Sequence, residues 1–372
     1  MNPLLFISVL VGVFALLIMY IQKRFIAHLH LSNGIKKSLT IFLYINLLGI
    51  FLYSLGRYFI DFPNWLYALL SLPIGVLFLL FCTTVLYDIF RLILVRMPLS
   101  NERRHFFKRS LDLSSLVVAT SISAKAIDDA RRIELEKVNI KIKNLKKSYK
   151  VLQLSDIHIG GIIDKNFMQN IVSRVNACNP DLIVITGDLV DTDVDKAKDA
   201  LEELQNLNSK YGTYFIVGNH EYFHNIEKII QRVKELGIRV LENENLYIGN
   251  EGEGFNLIGV YDLFGYRTGS FMPDLTKALK GRKEESPTIL LAHQPKFIQE
   301  VPKGVDLMLS GHTHGGQLFP FQALVKLQQG YVSGLHQHNA ELQIYINKGT
   351  GFWGPPMRLG ASAEITEITL NH

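Results

Sequence analysis

The chain has 372 residues, 48% of them hydrophobic, and a net charge of +5 from 39 Lys and Arg against 34 Asp and Glu. The positive excess belongs to the first 110 residues, where eleven Lys and Arg face three acidic residues, so the remainder carries −3. This balance argues against a nucleic-acid partner for the remainder. With only two cysteines, Cys82 and Cys178, and one of them in an apolar run, a thiolate metal site is excluded.

Three apolar runs near the start predict transmembrane helices over about 3–21, 38–55 and 65–87. Each run approaches the ~20 residues that span a bilayer, and aromatic residues stand at their flanks. Buried helices of a large soluble protein are the alternative, which the short basic loops disfavour. By the positive-inside rule, the loop after the first run and the segment after the third are cytoplasmic.

A fourth, weaker apolar stretch over 113–127 decides the side on which the remainder lies. It follows Arg103 and Arg104 in a segment that resembles a twin-arginine export signal. If this stretch spans the membrane, the remainder lies outside the cytoplasm, and if it lies in the interface, the remainder stays inside. We expect the remainder of the chain to lie outside the cytoplasm. Residues 128–147, which are charged, are predicted to be a linker into a soluble domain over 148–372.

Short, β-rich apolar runs recur in this soluble domain, with amphipathic helical patterns between the early ones, which predicts an α/β fold. Each run ends at polar residues, and in such sheets these ends gather at one edge. The runs with their polar ends are 150–154 before Asp156 and His158, 182–185 before Asp188, 214–217 before Asn219 and His220, 288–292 before His293, and 307–309 before His312 and His314.

These eight side chains are too many for a nucleophile–base–orienter triad or for a single zinc ion. They suit two metal ions that share a bridging carboxylate. Nitrogen and oxygen ligands without sulfur favour Mn, Fe, Zn or Co over Mg or Ca. Alternate residues of an extended chain point the same way, so Asp156 and His158 are predicted to bind one ion. The glycines around His312 and His314 indicate a turn instead, which would direct the two rings to different ions.

The motifs Asp156-x-His158, Gly187-Asp188-x-x-Asp191, Gly218-Asn219-His220-Glu221, His293 and Gly311-His312-x-His314 resemble, in order, those of the calcineurin-like metallophosphoesterases. The similarity covers Val151 to the C-terminus. It is greatest to membrane-attached bacterial members of the YkuE type, which implies a location in the bacterial inner membrane. It also implies a two-sheet β-sandwich flanked by helices.

The resemblance also implies a role for each matching residue. The first metal would be bound by Asp156, His158 and His314, and the second by Asn219, His293 and His312, with Asp188 bridging. His220 would face the substrate and either protonate the leaving oxygen or stabilise the charge of the phosphoryl group. Asp191 is a candidate for orienting a ligand, and Arg358 is a candidate for contacting phosphate or forming a salt bridge.

We therefore predict a membrane-anchored dinuclear phosphoesterase that hydrolyses a phosphoester with metal-activated water. The aromatic segment 352–357 would suit a lipid-linked substrate, or would simply pack as a loop. A UDP-sugar-lipid pyrophosphatase is the alternative if the domain is cytoplasmic. A non-catalytic scaffold is a further alternative, although the full ligand set is kept. A channel is disfavoured because the apolar runs carry no converging charged residues.

Overall fold

The computed structural model describes residues 3–372, which divide into two compact units. The first unit runs through Arg131 and includes Gly354–Leu359. Its long helices are α1 (Pro3–Arg24), α2 (Asn33–Tyr58), α3 (Asn64–Arg96) and α4 (Asn101–Asp129). All four are long and apolar enough to cross a membrane. The weak fourth stretch is therefore part of a 29-residue helix that extends well before it.

Charged side chains converge among these helices just beyond the apolar runs. Arg24 Nη2 lies 2.6 Å from Asp88 Oδ2. Asp112 accepts hydrogen bonds from the Tyr87 hydroxyl and from the backbone of His30. These charges lie in helix segments and a loop that the runs do not include, so the apolar runs themselves carry no converging charge. The buried members, Asp88 and Asp112, each have a partner, which lowers the cost of their burial.

The second unit contains two six-stranded sheets. The first has the order β1 (Ile133–Lys141), β12 (Ala363–Asn371), β2 (Tyr149–Leu154), β3 (Leu182–Thr186), β4 (Thr213–Ile216), β5 (Arg239–Val240). The second has the order β10 (Gly334–Gln337), β11 (Gln343–Ile346), β9 (Leu307–Ser310), β8 (Thr288–Leu291), β7 (Phe255–Gly259), β6 (Glu244–Ile248). The helices are α5 (Lys165–Ala177), α6 (Val194–Glu202), α7 (Ile226–Glu235), α8 (Gly265–Thr268), α9 (Leu275–Leu279) and α10 (Gln322–Gln329).

The two sheets pack face to face. Val151 and Val184 of the first sheet share one buried apolar cluster with Leu257 and Leu309 of the second. Successive side chains of a strand point to opposite faces. The alternate residues of β2 and β3 accordingly belong to another cluster, which includes residues of α5, α6 and α7. The outer face of the second sheet packs on α9. The predicted two-sheet sandwich flanked by helices is confirmed.

The segment predicted as a linker, 128–147, contains strand β1. This strand lies at the sheet edge and pairs in parallel with β12, from Ile133 opposite Ala363 to Lys141 opposite Asn371. Its side chains are mostly exposed or half-buried, as charged edge strands usually are. The composition of this segment therefore resembles that of a linker. Its strand forms by pairing with β12, which lies more than 200 residues later in the chain.

The sheet topology places the polar strand ends together. Strands β2, β3 and β4 are parallel neighbours in the first sheet, and β7, β8 and β9 are parallel neighbours in the second. The loops that follow β2, β3, β4, β8 and β9 carry the predicted ligands, so each sheet contributes its carboxyl ends to one region.

Candidate metal centre

The loops after the five strands bring together every predicted metal ligand. Acidic and histidine side chains form three groups in which the ligand atoms of each group lie within 4.8 Å of one another. The groups are Asp156, His158 and His314; Asp188, His293 and His312; and His158, Asp191 and His220.

The first group directs two imidazoles and a carboxylate to one point. His158 Nε2 lies 3.0 Å from His314 Nε2, and His314 Nε2 lies 3.5 Å from Asp156 Oδ1. The Asp156 carboxylate also accepts hydrogen bonds from the Ser155 hydroxyl at 2.5 Å and from the backbone of His312 at 2.9 and 3.0 Å. These donors fix the orientation of the carboxylate.

The second group lies around His293. Its Nδ1 is 2.8 Å from the carbonyl oxygen of Thr186, which can only accept, so Nδ1 carries a hydrogen. Its Nε2 is therefore turned towards Asp188 Oδ2 at 3.2 Å and Asn219 Oδ1 at 3.2 Å. The His312 ring packs edge-to-face on the His293 ring, with 5.0 Å between their centroids. The rings of His312 and His314 thus belong to different groups.

Asp188 lies between the two groups. Its Oδ1 accepts a hydrogen bond from the His220 backbone at 2.8 Å. Its Oδ2 is 3.2 Å from His293 Nε2 and 3.9 Å from Nε2 of both His158 and His220. One oxygen therefore fixes the side chain, while the other faces three imidazoles.

Burial sets the protonation of the ligands. It lowers the pKa of His158 and of His312 to about 3, which leaves both imidazoles neutral and able to bind a cation. Burial also raises the pKa of Asp156 to about 6. For His293, burial lowers the pKa, but the Asp188 carboxylate outweighs it and raises that pKa well above its usual value. Burial would likewise raise the pKa of Asp188, yet His293 and His220 hold it well below its usual value.

Five of the seven predicted ligands have a left-handed backbone conformation, which residues other than glycine rarely adopt. They are Asp156, His158, Asp188, His312 and His314, with φ angles from 48° to 69°. The expectation that Asp156 and His158 lie on an extended chain is therefore wrong, because the chain turns directly after β2. Strain of this kind clusters at functional sites.

Two glycines allow the loops to approach the ligands closely. A Cβ atom at Gly311 would overlap with Ser155 Oγ and Asp156 Oδ2, and one at Gly218 would overlap with Asp188 Oδ1. The motifs therefore need glycine here because of close contact with the carboxylates.

We expect Gly311→Ala to destabilise the protein by about 1–3 kcal/mol, because the added methyl displaces the Asp156 carboxylate. Thermal denaturation and metal analysis of the purified chain measure the effect, and the metal content should fall as well. Gly34→Ala is the control, since its Cβ would meet no atom within 4 Å. Unchanged stability and metal content in Gly311→Ala would contradict the close contact.

The predicted general acid, His220, is held by Asp191. Asp191 Oδ1 lies 2.7 Å from His220 Nδ1 and 3.4 Å from His224 Nε2. A carboxylate only accepts, so His220 Nδ1 carries a hydrogen and His220 Nε2 is turned towards the centre of the site. Asp191 therefore contacts His220, and its predicted role in orienting a metal ligand stays a prediction.

Glu221 ends the Gly218-Asn219-His220-Glu221 motif, and no role was predicted for it. Its fully buried carboxylate accepts four backbone hydrogen bonds, from Asp188, Leu189, Val190 and Gly218, at 2.6 to 3.1 Å. Burial and the charge of Asp188 raise the pKa of Glu221 to about 7, although the amides oppose them. Glu221 therefore ties the Asp188 loop to the Asn219 loop. An acidic residue directly after Asn219-His220 was the available signal.

We expect Glu221→Gln to destabilise the fold by about 2–4 kcal/mol and to weaken metal binding about 10–100-fold. An amide group presents donors to some of the four backbone N–H groups, which then lose their acceptor. Denaturation and metal titration of the purified chain measure both effects. The exposed Glu227 supplies the matched control, Glu227→Gln. Wild-type metal affinity in Glu221→Gln would show that the loops are positioned without this carboxylate.

Arg358 belongs to the first unit. Its side chain is fully buried there, and its backbone N–H donates to the carbonyl of Ala126 at 2.7 Å. Its contact with phosphate stays a prediction.

The sequence of this chain is similar to those of known metallophosphoesterases. Residues 149–316 match the calcineurin-like phosphoesterase family. A protein of Helicobacter pylori named as an uncharacterized metallophosphoesterase is 39% identical over 311 residues, covering 83% of each chain. One of Campylobacter jejuni with the same kind of name is 35% identical over 376 residues, covering 99% of this chain and 98% of that protein.

A third relative, from Bos taurus, is named as a transmembrane protein with a metallophosphoesterase domain. It is 39% identical over 236 residues, which cover 60% of this chain and 53% of that protein. The fold and the ligand clusters define a metallophosphoesterase, a metal-dependent phosphoester hydrolase. The chain belongs to the calcineurin-like metallophosphoesterase family, as the motif resemblance indicated. With its four apolar helices, it is a membrane protein.

Proposed function

We propose that the chain is a membrane-anchored dinuclear phosphoesterase that hydrolyses a phosphoester with two divalent metal ions. The observation that carries this proposal is the pair of ligand groups on either side of Asp188. A single carboxylate oxygen that faces imidazoles of both groups is the arrangement that a bridging ligand needs.

The donors fit divalent cations. Two imidazoles can share only one hydrogen between the facing nitrogens of His158 and His314, whereas a cation accepts both lone pairs. Asp156, His158 and His314 would hold one ion, Asn219, His293 and His312 the other, and Asp188 both. Nitrogen-rich ligation favours Mn, Fe, Zn or Co. When bound, the ions would supply the positive charge that activates water and stabilises the phosphoryl oxygens in the transition state.

The protein side chains do the rest. His220 has its Nδ1 hydrogen held by Asp191, so its Nε2 is the atom that can give a proton to the leaving oxygen. Asp188 Oδ2 lies 3.9 Å from that nitrogen. Glu221 keeps Asp188 in place through the backbone of both adjoining loops.

The experiment is metal removal and restoration with the full-length chain in lipid nanodiscs. Hydrolysis of an aryl phosphate monoester, an aryl phosphodiester and pyrophosphate is followed after chelation and after adding back Mn²⁺, Fe²⁺, Zn²⁺ or Co²⁺. We expect chelation to abolish hydrolysis and at least one ion to restore it at two ions per chain. A chain that binds two ions and hydrolyses none of the three substrates would fit the non-catalytic scaffold instead.

We further propose that the substrate is lipid-linked. We also propose that the catalytic unit faces away from the cytoplasm of a bacterial inner membrane. Four membrane-spanning helices with a cytoplasmic basic loop after the first would place the N-terminus and the soluble unit on the outer side. A reporter that is active only outside the cytoplasm, fused after His372, should be active. If that reporter is inactive while a cytoplasmic reporter fused at the same point is active, the catalytic unit faces the cytoplasm. That result would favour a UDP-sugar-lipid pyrophosphatase.

A further inference from the structure

Two half-exposed aromatic side chains contact the ring of His220. The Phe223 ring meets it edge-to-face with 5.4 Å between centroids, and the Trp353 ring does so with 6.4 Å. Phe223 is 47% exposed and Trp353 is 48% exposed. Large aromatic side chains left this open beside a buried polar site are more typical of a ligand-binding wall than of a packed core.

Contacts with the surrounding structure hold the Phe223 ring and the backbone of Trp353. The Phe223 ring packs edge-to-face on Phe264 with 5.0 Å between centroids. The backbone of Trp353 forms two hydrogen bonds with the side chain of Gln317. The Gln317 amide donates to the Trp353 carbonyl at 2.8 Å and accepts from the Trp353 backbone N–H at 3.0 Å. Gln317 directly follows the His312–Gly316 turn, and its N–H donates to His314 at 3.0 Å. Trp353 is therefore tied to the loop that carries two of the predicted ligands.

We propose that Phe223 and Trp353 form a subsite for an apolar leaving group. This proposal rests on the proposed function, in which His220 protonates the leaving oxygen. Because both rings contact His220, the part of the substrate attached to that oxygen lies against them. Aromatic faces and edges bind alkyl, prenyl or aryl groups by excluding water, whereas a sugar or a free hydroxyl would gain less from them. The substrate class is thus a phosphoester of an apolar alcohol.

The test uses butyl and methyl phosphoesters, whose leaving alcohols have similar basicity, so that they differ mainly in apolar area. With the metal-loaded full-length chain in nanodiscs, we expect kcat/KM to be about tenfold higher for the butyl ester. Trp353→Ala and Phe223→Ala should each reduce that preference to less than about threefold while metal content stays unchanged. Tyr266→Ala is the control, because Tyr266 is 52% exposed and its hydroxyl bonds to Glu300 instead.

A binding measurement separates this proposal from the proposed function. Butylphosphonate and methylphosphonate are titrated into the same metal-loaded chain by calorimetry, which needs no turnover. We expect butylphosphonate to bind about tenfold more tightly, and Trp353→Ala to remove the difference. If butylphosphonate binds more tightly but no ester is hydrolysed, the proposed hydrolase function is overturned and the apolar subsite is retained. Equal binding of both phosphonates, or equal losses for both esters in Trp353→Ala, would overturn the subsite.

Discussion

Replacement of Asp188 by Asn is expected to abolish metal-dependent phosphoester hydrolysis, with kcat/KM falling at least about 10³-fold. The Asp188 side chain is 2% exposed, and its Oδ2 faces imidazoles of both ligand groups. An amide of the same shape keeps one oxygen but removes the negative charge that would bind two cations. We therefore expect the loss of at least one ion per chain together with the loss of rate. Kinetics and elemental analysis of the purified full-length variant measure both.

The matched control is Asp199→Asn, a change of the same chemistry at an exposed position of α6. It should keep wild-type rate and metal content. The thermal transition of Asp188→Asn shows whether the variant is folded. This check is needed because the change also removes the carboxylate that balances His293. Asp188→Asn with two ions and a rate within tenfold of wild type would contradict the bridging role.

Replacement of His220 by Asn is expected to lower kcat about 10²–10⁴-fold without loss of metal. The His220 ring is fixed by Asp191 at 2.7 Å on one side, and its other nitrogen faces the site. The variant loses the proton donor, while the backbone N–H of residue 220 still bonds to Asp188. The effect should be smaller for substrates with acidic leaving groups such as nitrophenol, since these need less protonation. Kinetics with nitrophenyl and alkyl esters measure this difference.

The control is His224→Asn, which removes the more distant partner of Asp191, at 3.4 Å. We expect it to change kcat less than about tenfold. His158, Asp191 and His220 also lie close enough together to bind an ion themselves. If His220→Asn lost metal along with activity, His220 would be a ligand rather than a proton donor.

Sequence patterns predicted the strands that carry the site, whereas the two-sheet sandwich was implied by the motif resemblance. The β-rich runs before Asp156, Asp188 and His293 form strands β2, β3 and β8, because such continuous apolar runs need burial on both faces. The ligand residues follow those strands, and parallel strands bring their carboxyl ends together whatever the loops do. For this reason the predicted ligands could be named before their geometry was known.

The remaining features depend on contacts that no local pattern contains. The turn after β2 gives Asp156 and His158 left-handed backbones, which Gly311 allows by leaving space for their loop. Strand β1 has the composition of a linker and becomes a strand only by pairing with β12. The role of Glu221 depends on backbone amides of a loop about 30 residues earlier, and Trp353 reaches His220 only through the folded chain.

The most direct test of the dinuclear site is anomalous X-ray diffraction from crystals of the metal-loaded chain. We predict two anomalous peaks. One should lie among Asp156, His158 and His314, the other among Asn219, His293 and His312, and Asp188 should contact both. A single peak, or both His312 and His314 on the same ion, would contradict the two-metal site.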